Sequence, residues 1–164
     1  VSYANQNAIR TFIINTKRYP KTNQYEFILN SELDTEEPDL IILAGYMKLI
    51  PESTVRKYNR KIMNIHPGLL PDFGGKGFFG LRVHEAVLEK GTKESGPTVH
   101  YVDEKYDTGP IIAQIKVPVK SNDTVKNLAK RVLDAEHKLY PKVVKAFCEE
   151  RINWNNGKPY IKDI

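Results

Sequence analysis

The sequence predicts an α/β fold: a mostly parallel sheet with flanking helices, followed by an antiparallel C-terminal extension. Three observations carry this reading. The runs DLIILAG (39–45) and KIMNIH (61–66) are short and apolar, the first of them without a break, as in parallel strands covered on both faces. Segments of helical period lie between and after the strands. In the second half the pattern turns to alternation, which marks a strand with one exposed face.

Taken in order, AIRTFIIN (8–15) is β-branched and aromatic and reads as a strand, ended by the turn-prone TKRYPKTN. Tyr25, Ile28, Leu29 and Leu33 recur at helical spacing, and EEPD stops that helix. DLIILAG is the next strand. PESTVRKYN starts with Pro51, which suits the first turn of a short helix. KIMNIH follows as a strand, and LRVHEAVLEKG as a helix closed by Gly91. GPTVHYVDE (96–104) is a strand. PIIAQIKVPV alternates along its length and is expected to run antiparallel to its neighbour. SND caps a long helix carrying Val125, Leu128, Val132, Leu139, Val143 and Phe147 on one stripe. INWNNGKPYI closes as a hairpin around Asn156-Gly157.

At 164 residues the chain suits one domain with a core of ordinary size. The net charge of +5 is interspersed: residues 1 to 60 hold eight basic and seven acidic side chains. Without a dense basic block, anionic small molecules fit better than nucleic acid as partners. No apolar run reaches the roughly 20 residues of a membrane span, and the first residues lack a signal-peptide pattern. The lone Cys148 rules out an internal disulfide and suits the reducing cytoplasm; on a helix it is expected to be buried and structural.

Asn64 and His66 stand two apart at the end of a strand, so their side chains share a face. An amide donor beside an imidazole can hold a carbonyl oxygen as it becomes an oxyanion. Spacing alone favours the plainer reading, a turn Asn and a capping His ahead of Pro67. Asp107, in the acidic loop DEKYDTGP, is a candidate to orient the His and relay a proton. The stretch LLPDFGGKGFFG is rich in glycine but matches no phosphate-loop pattern, and reads as a flexible rim. Glu136 lies eleven residues after Val125, about 20° away around a helix, and so on the apolar stripe. It is either a structural ion pair or an acceptor for ligand hydroxyls. The four histidines lack ligand spacing, so no metal is expected.

Four segments, LAGYMKLIP, NIHPGLLP, GPTVHYVDEKYDTGPIIAQ and RVLDAEHKLYP, together resemble the phosphoribosylglycinamide formyltransferase family in order and spacing. The resemblance is close over about residues 39 to 151. It implies a Rossmann-like formyltransferase fold over 1–164 as a single domain, N-terminally incomplete because the family's first strand and phosphate loop have no counterpart. It also implies formyl transfer from 10-formyltetrahydrofolate, as co-substrate, to the amine of glycinamide ribonucleotide in purine biosynthesis. Asn64, His66 and Asp107 would be catalytic. Met47, Lys48, Leu49 and Ile50 would bind the folate, with Val102, Asp103 and Glu104 facing them. Pro67, Gly68 and Glu136 would bind the nucleotide. The expected state is a monomer or homodimer, without metal, membrane or nucleic acid.

Overall fold

The computed structural model describes residues 1–162. They fall into two compact units, Val1–Asp39 and the residues from Leu40 onward.

The first unit contains α1 (Ser2–Gln6) and α2 (Thr22–Glu36). Helix α2 ends where Glu37 takes a left-handed φ of 45°, just before Pro38, as the EEPD sequence requires. The strand expected over 8–15 is not formed: residues 9–15 are neither helix nor strand. Ile9, Phe12 and Ile13 remain exposed, and the Arg10 guanidinium lies 4.3 Å over the Phe12 ring while pairing with Glu36. The reason is pairing. A β-prone sequence becomes a strand only when a neighbour takes its backbone hydrogen bonds, and the first unit contains no other strand.

In the second unit the elements run β1 (Ile41–Leu43), α3 (Glu52–Lys57), β2 (Ile62–His66), α4 (Leu81–Lys90), β3 (Glu94–Ser95), β4 (Thr98–Tyr101), β5 (Ile111–Gln114), β6 (Val117–Pro118), α5 (Val125–Cys148), β7 (Ile152–Asn155) and β8 (Lys158–Ile161). The main sheet has the order β1-β2-β4-β5. Strands β1 and β2 pair in parallel, whereas β2–β4 and β4–β5 are antiparallel. The α/β class and the antiparallel extension are as expected. Among the described strands β1 is an edge of the sheet, and Ile42 is 46% exposed instead of covered on both faces.

Two further expectations change. PIIAQIKVPV breaks after Gln114: β5 stays in the main sheet, while β6 joins β3 in a separate two-stranded ladder. Cys148 is exposed at the end of α5, because the buried stripe through Leu139, Val143 and Ala146 has rotated past it.

The core has two parts. Val83 and Val87 of α4 pack with Leu128 and Val132 of α5 around Phe73. Met63, Val99 and Tyr101 of the sheet pack against Leu139 and Val143. The terminal hairpin turns at Asn156 and Gly157, both with positive φ, and stacks Trp154 on Tyr101 at 5.4 Å. The Tyr140 hydroxyl of α5 lies 3.0 Å and 2.8 Å from the carbonyls of Leu43 and Met63, so the helix is bonded to both parallel strands.

Thr124 caps α5 by accepting from the Asn127 N–H, one residue beyond the expected SND. Asp123 serves another purpose. Its carboxylate takes two bonds from Arg131, at 2.6 and 2.7 Å, and one from the Lys120 N–H. Hydrogen bonding to Arg131, against burial, holds this carboxyl down to about 2. Because the folded value is the lower one, the stabilisation is complete above the unfolded carboxyl range near pH ~4 and is lost as the pH falls toward 2. Asp123→Asn is expected to cost about 2 kcal/mol at pH 7, with much less difference from wild type at pH ~2.5, as read by urea unfolding at both pH values.

Candidate active site

The site grows from the register between β2 and β4. Asn64 and His66 point to one side of β2 by their spacing, and the ladder sets them opposite His100 and Thr98. Four polar side chains thus form a compact patch on an otherwise apolar sheet. Thr98 is fully buried and ties down the chain leaving β2. It donates to the Gly68 carbonyl at 2.7 Å and accepts from the Leu70 N–H and from Gln114.

His100 Nδ1 lies 2.8 Å from its neighbour's carbonyl at Tyr101, which can only accept, so this nitrogen carries the proton. Its Nε2 is then free to accept from Asn64 Nδ2, 3.2 Å away. An amide nitrogen has two hydrogens, so one Asn64 N–H remains for a ligand.

His66 is 4% exposed. Its Nε2 lies 2.6 Å from the Phe73 carbonyl and must donate to it, which leaves Nδ1 as the position open to a proton. Nδ1 faces Asp107 Oδ1 at 3.6 Å, and His100 Nε2 lies 3.6 Å from the same oxygen. Burial holds the His66 imidazole below its usual range; the Asp107 charge and the Phe73 carbonyl oppose this without reversing it. For Asp107 the balance falls the other way. Burial raises its carboxyl, but the neighbouring His100 and His66 and the Gly75 N–H together bring it below the ordinary carboxylate value. At neutral pH the pair is therefore a carboxylate beside a neutral imidazole, with room for one proton between them.

These groups open onto a cavity of about 830 Å³. Met47, Lys48, Leu49 and Ile50, from the chain following β1, line it, as do Pro67 and Val102. Glu136 enters from α5. It is half-buried, forms no hydrogen bond or ion pair among the described residues, and burial raises its carboxyl with only His137 opposing. Three expected site residues lie elsewhere. Gly68 is buried beneath Thr98. Asp103 and Glu104 line a second cavity: Asp103 accepts from Thr108, and Glu104 pairs with Arg56 at 2.7 Å.

The structure also brings in groups that sequence spacing did not single out. His100 is one. His84 of α4 is another, 4% exposed, with an unpartnered Nδ1 and an imidazole lowered by burial and by His66. The glycine-rich stretch contributes Gly75 through Gly80 to the cavity wall, with Phe78 and Phe79 as its apolar surface. No group of three or more His, Cys, Asp or Glu suited to a metal ion occurs among the described residues. No helix among them is long and apolar enough to cross a membrane.

A sequence profile described as formyl transferase matches residues 1–144. The chain belongs to that family. Phosphoribosylglycinamide formyltransferase of Escherichia coli is 34% identical over 158 residues, covering 96% of the chain and 72% of the relative. The chloroplastic phosphoribosylglycinamide formyltransferase of Arabidopsis thaliana is 50% identical over 163 residues, which is 98% of the chain but 56% of that relative. The chain thus spans little more than half the length of the plant protein. Glycinamide ribonucleotide transformylase 1 from Symbiobacterium toebii has the same fold, with a TM-score of 0.87 at 35% identity, covering 99% of the chain and 74% of the solved structure. Within the formyl transferase family, the resemblance to the phosphoribosylglycinamide branch is therefore matched by sequence.

Proposed function

We propose that the protein transfers a formyl group from 10-formyltetrahydrofolate to the primary amine of glycinamide ribonucleotide. The observation that carries this is the meeting of Asn64, His66 and Asp107 on one cavity, with an unpartnered Glu136 on another wall. Family membership supplies the reaction class; the residues supply a way to perform it.

The amine nitrogen attacks the formyl carbon, and the carbonyl oxygen becomes an oxyanion. The free N–H of Asn64 and the His66 imidazole, when Nδ1 holds a proton, stabilise that charge where water is largely excluded. The attacking nitrogen must lose a proton and the folate N10 must gain one. The Asp107 carboxylate accepts the first and returns it, directly or through water, as the carbon–N10 bond breaks. The products are the formamide of the nucleotide and tetrahydrofolate. Met47, Lys48, Leu49 and Ile50, with Val102 opposite, form the proposed folate wall, backbone groups meeting the flat pterin edge. Pro67 lines the proposed nucleotide side.

Glu136 is proposed as the acceptor for ribose hydroxyls. Glu136→Gln is expected to raise KM for the nucleotide by about tenfold, with kcat and folate affinity little changed. Steady-state kinetics at varied nucleotide concentration measures this. A single exposed cysteine and a chloroplastic relative support a reducing compartment, without favouring the cytosol over a plastid.

Transfer is tested by mixing the full-length gene product with both substrates and following release of tetrahydrofolate. Formate released without the amine acceptor would favour a deformylase instead. Folate binding without turnover would leave only a binding module.

A further inference from the structure

We propose that the backbone of Gly74 and Gly75 is a positioning device for the Asp107 carboxylate. The geometry stands alone; its catalytic consequence rests on the transfer reading above. The Gly75 N–H donates to Asp107 Oδ2 at 2.9 Å. Oδ1 of the same carboxylate is left facing His66 and His100, each at 3.6 Å. The two oxygens thus have separate tasks, one anchored to backbone and one turned to the imidazoles. Asp107 itself has a φ of 56°, a conformation that L residues adopt at a cost, so its side chain needs outside contacts to fix it.

Glycine suits the two positions for different reasons, close packing at one and backbone conformation at the other. At Gly74 a Cβ would come 2.2 Å from Leu70 Cδ2 and 3.0 Å from Asp107 Cβ. At Gly75 there is open space, but φ is 98°, which an L side chain strains. Two residues earlier the Phe73 carbonyl holds His66 Nε2. Phe73 and Gly75, two residues apart, therefore each hold one member of the proton pair through a main-chain atom. The stretch that reads as a flexible rim is tied to the chemistry at two points.

The titratable groups facing Asp107 are His66 on β2 and His100 on β4. Farther around the cavity are His84 on α4, Glu136 on α5, and Lys48, Lys76 and Lys105 on the connecting segments. The Gly75 N–H is one of the contacts that keep the Asp107 carboxyl below its ordinary range. Its loss raises that value whatever the substrate.

The test replaces the Gly74–Gly75 amide by an ester in the full-length protein, which removes the N–H and adds no side chain. Asp107 is titrated by carboxyl ¹³C NMR without substrate, and kcat and KM are measured across pH. The expected result is an Asp107 midpoint raised by roughly one unit, kcat lowered by about tenfold, and both KM values within about threefold of wild type. D-Alanine at position 75 keeps the N–H and suits the positive φ, so the Asp107 midpoint is expected to stay at its wild-type value. Gly75→Ala is expected to lose activity as the ester does. Gly91→Ala, also at a positive φ but outside the cavity, is expected to leave kcat unchanged. An ester protein with an unmoved Asp107 midpoint overturns the proposal. A wild-type protein without formyl transfer sinks the functional reading instead, and the NMR result still decides the tether.

Discussion

Asp107→Asn is expected to lower kcat by on the order of 10³-fold while leaving the folate dissociation constant within about twofold. The amide is nearly isosteric and can still receive the Gly75 N–H, so the loop and the cavity should persist. It has no basic oxygen, however, and cannot take the proton from the attacking amine. It also takes away the negative charge that favours a proton on His66 Nδ1, 3.6 Å away. Both losses fall on the chemical step and neither on binding. Rapid-quench kinetics with saturating substrates separates them from product release. A kcat within threefold of wild type would remove Asp107 from the proton path. The wild-type acid limb should lie below the ordinary carboxylate range, because the contacts on Asp107 keep this base ionised to lower pH.

Asn64→Ala is expected to cost about 10²- to 10³-fold in kcat, the usual effect of deleting one oxyanion donor. KM should move little, since the ground-state carbonyl needs the donor less than the oxyanion does. The variant also leaves His100 Nε2 without its cross-strand partner. Asn64→Asp separates these contributions: it keeps the shape but replaces the donor with a like charge near Asp107. It should be at least as damaging as alanine if donation to the oxyanion is the role of Asn64. Recovery of activity in Asn64→Asp would point instead to a purely structural polar contact. Single-turnover rates of both variants provide the measurement.

How far the sequence could be read depended on where each residue's function resides. Asn64 and His66 were legible because strand periodicity places them on one face, and Glu136 because helical periodicity puts a carboxylate on an apolar stripe. His100 belongs to the same patch, and the T-x-H of β4 mirrors the N-x-H of β2. Only the ladder makes them neighbours, and pairing register is not a local property. Gly75 acts through a backbone N–H, which every residue but proline possesses, so nothing in the letter G announces it. The segment 8–15 failed in the opposite direction. Its composition favours a strand, but strand formation depends on a partner that the first unit lacks. Asp103 and Glu104 were placed by the family motif, yet their side chains turn to the neighbouring cavity, where Thr108 and Arg56 engage them.

The opposition of Asn64 to His100 and of His66 to Thr98 also sets which parts of the chain may vary in length. A slip of one residue between β2 and β4 would send each polar side chain through the sheet and bring an apolar one forward. An inserted residue inside 98–101 therefore abolishes the site as surely as it unsettles the core. The crossover between His66 and Thr98 is under no such arithmetic: it can grow or shrink without shifting a rung, provided residues 73–75 still reach the site. Length variation in this family should accordingly collect after Gly75 and spare the strands, making alignment gaps a map of the ladder.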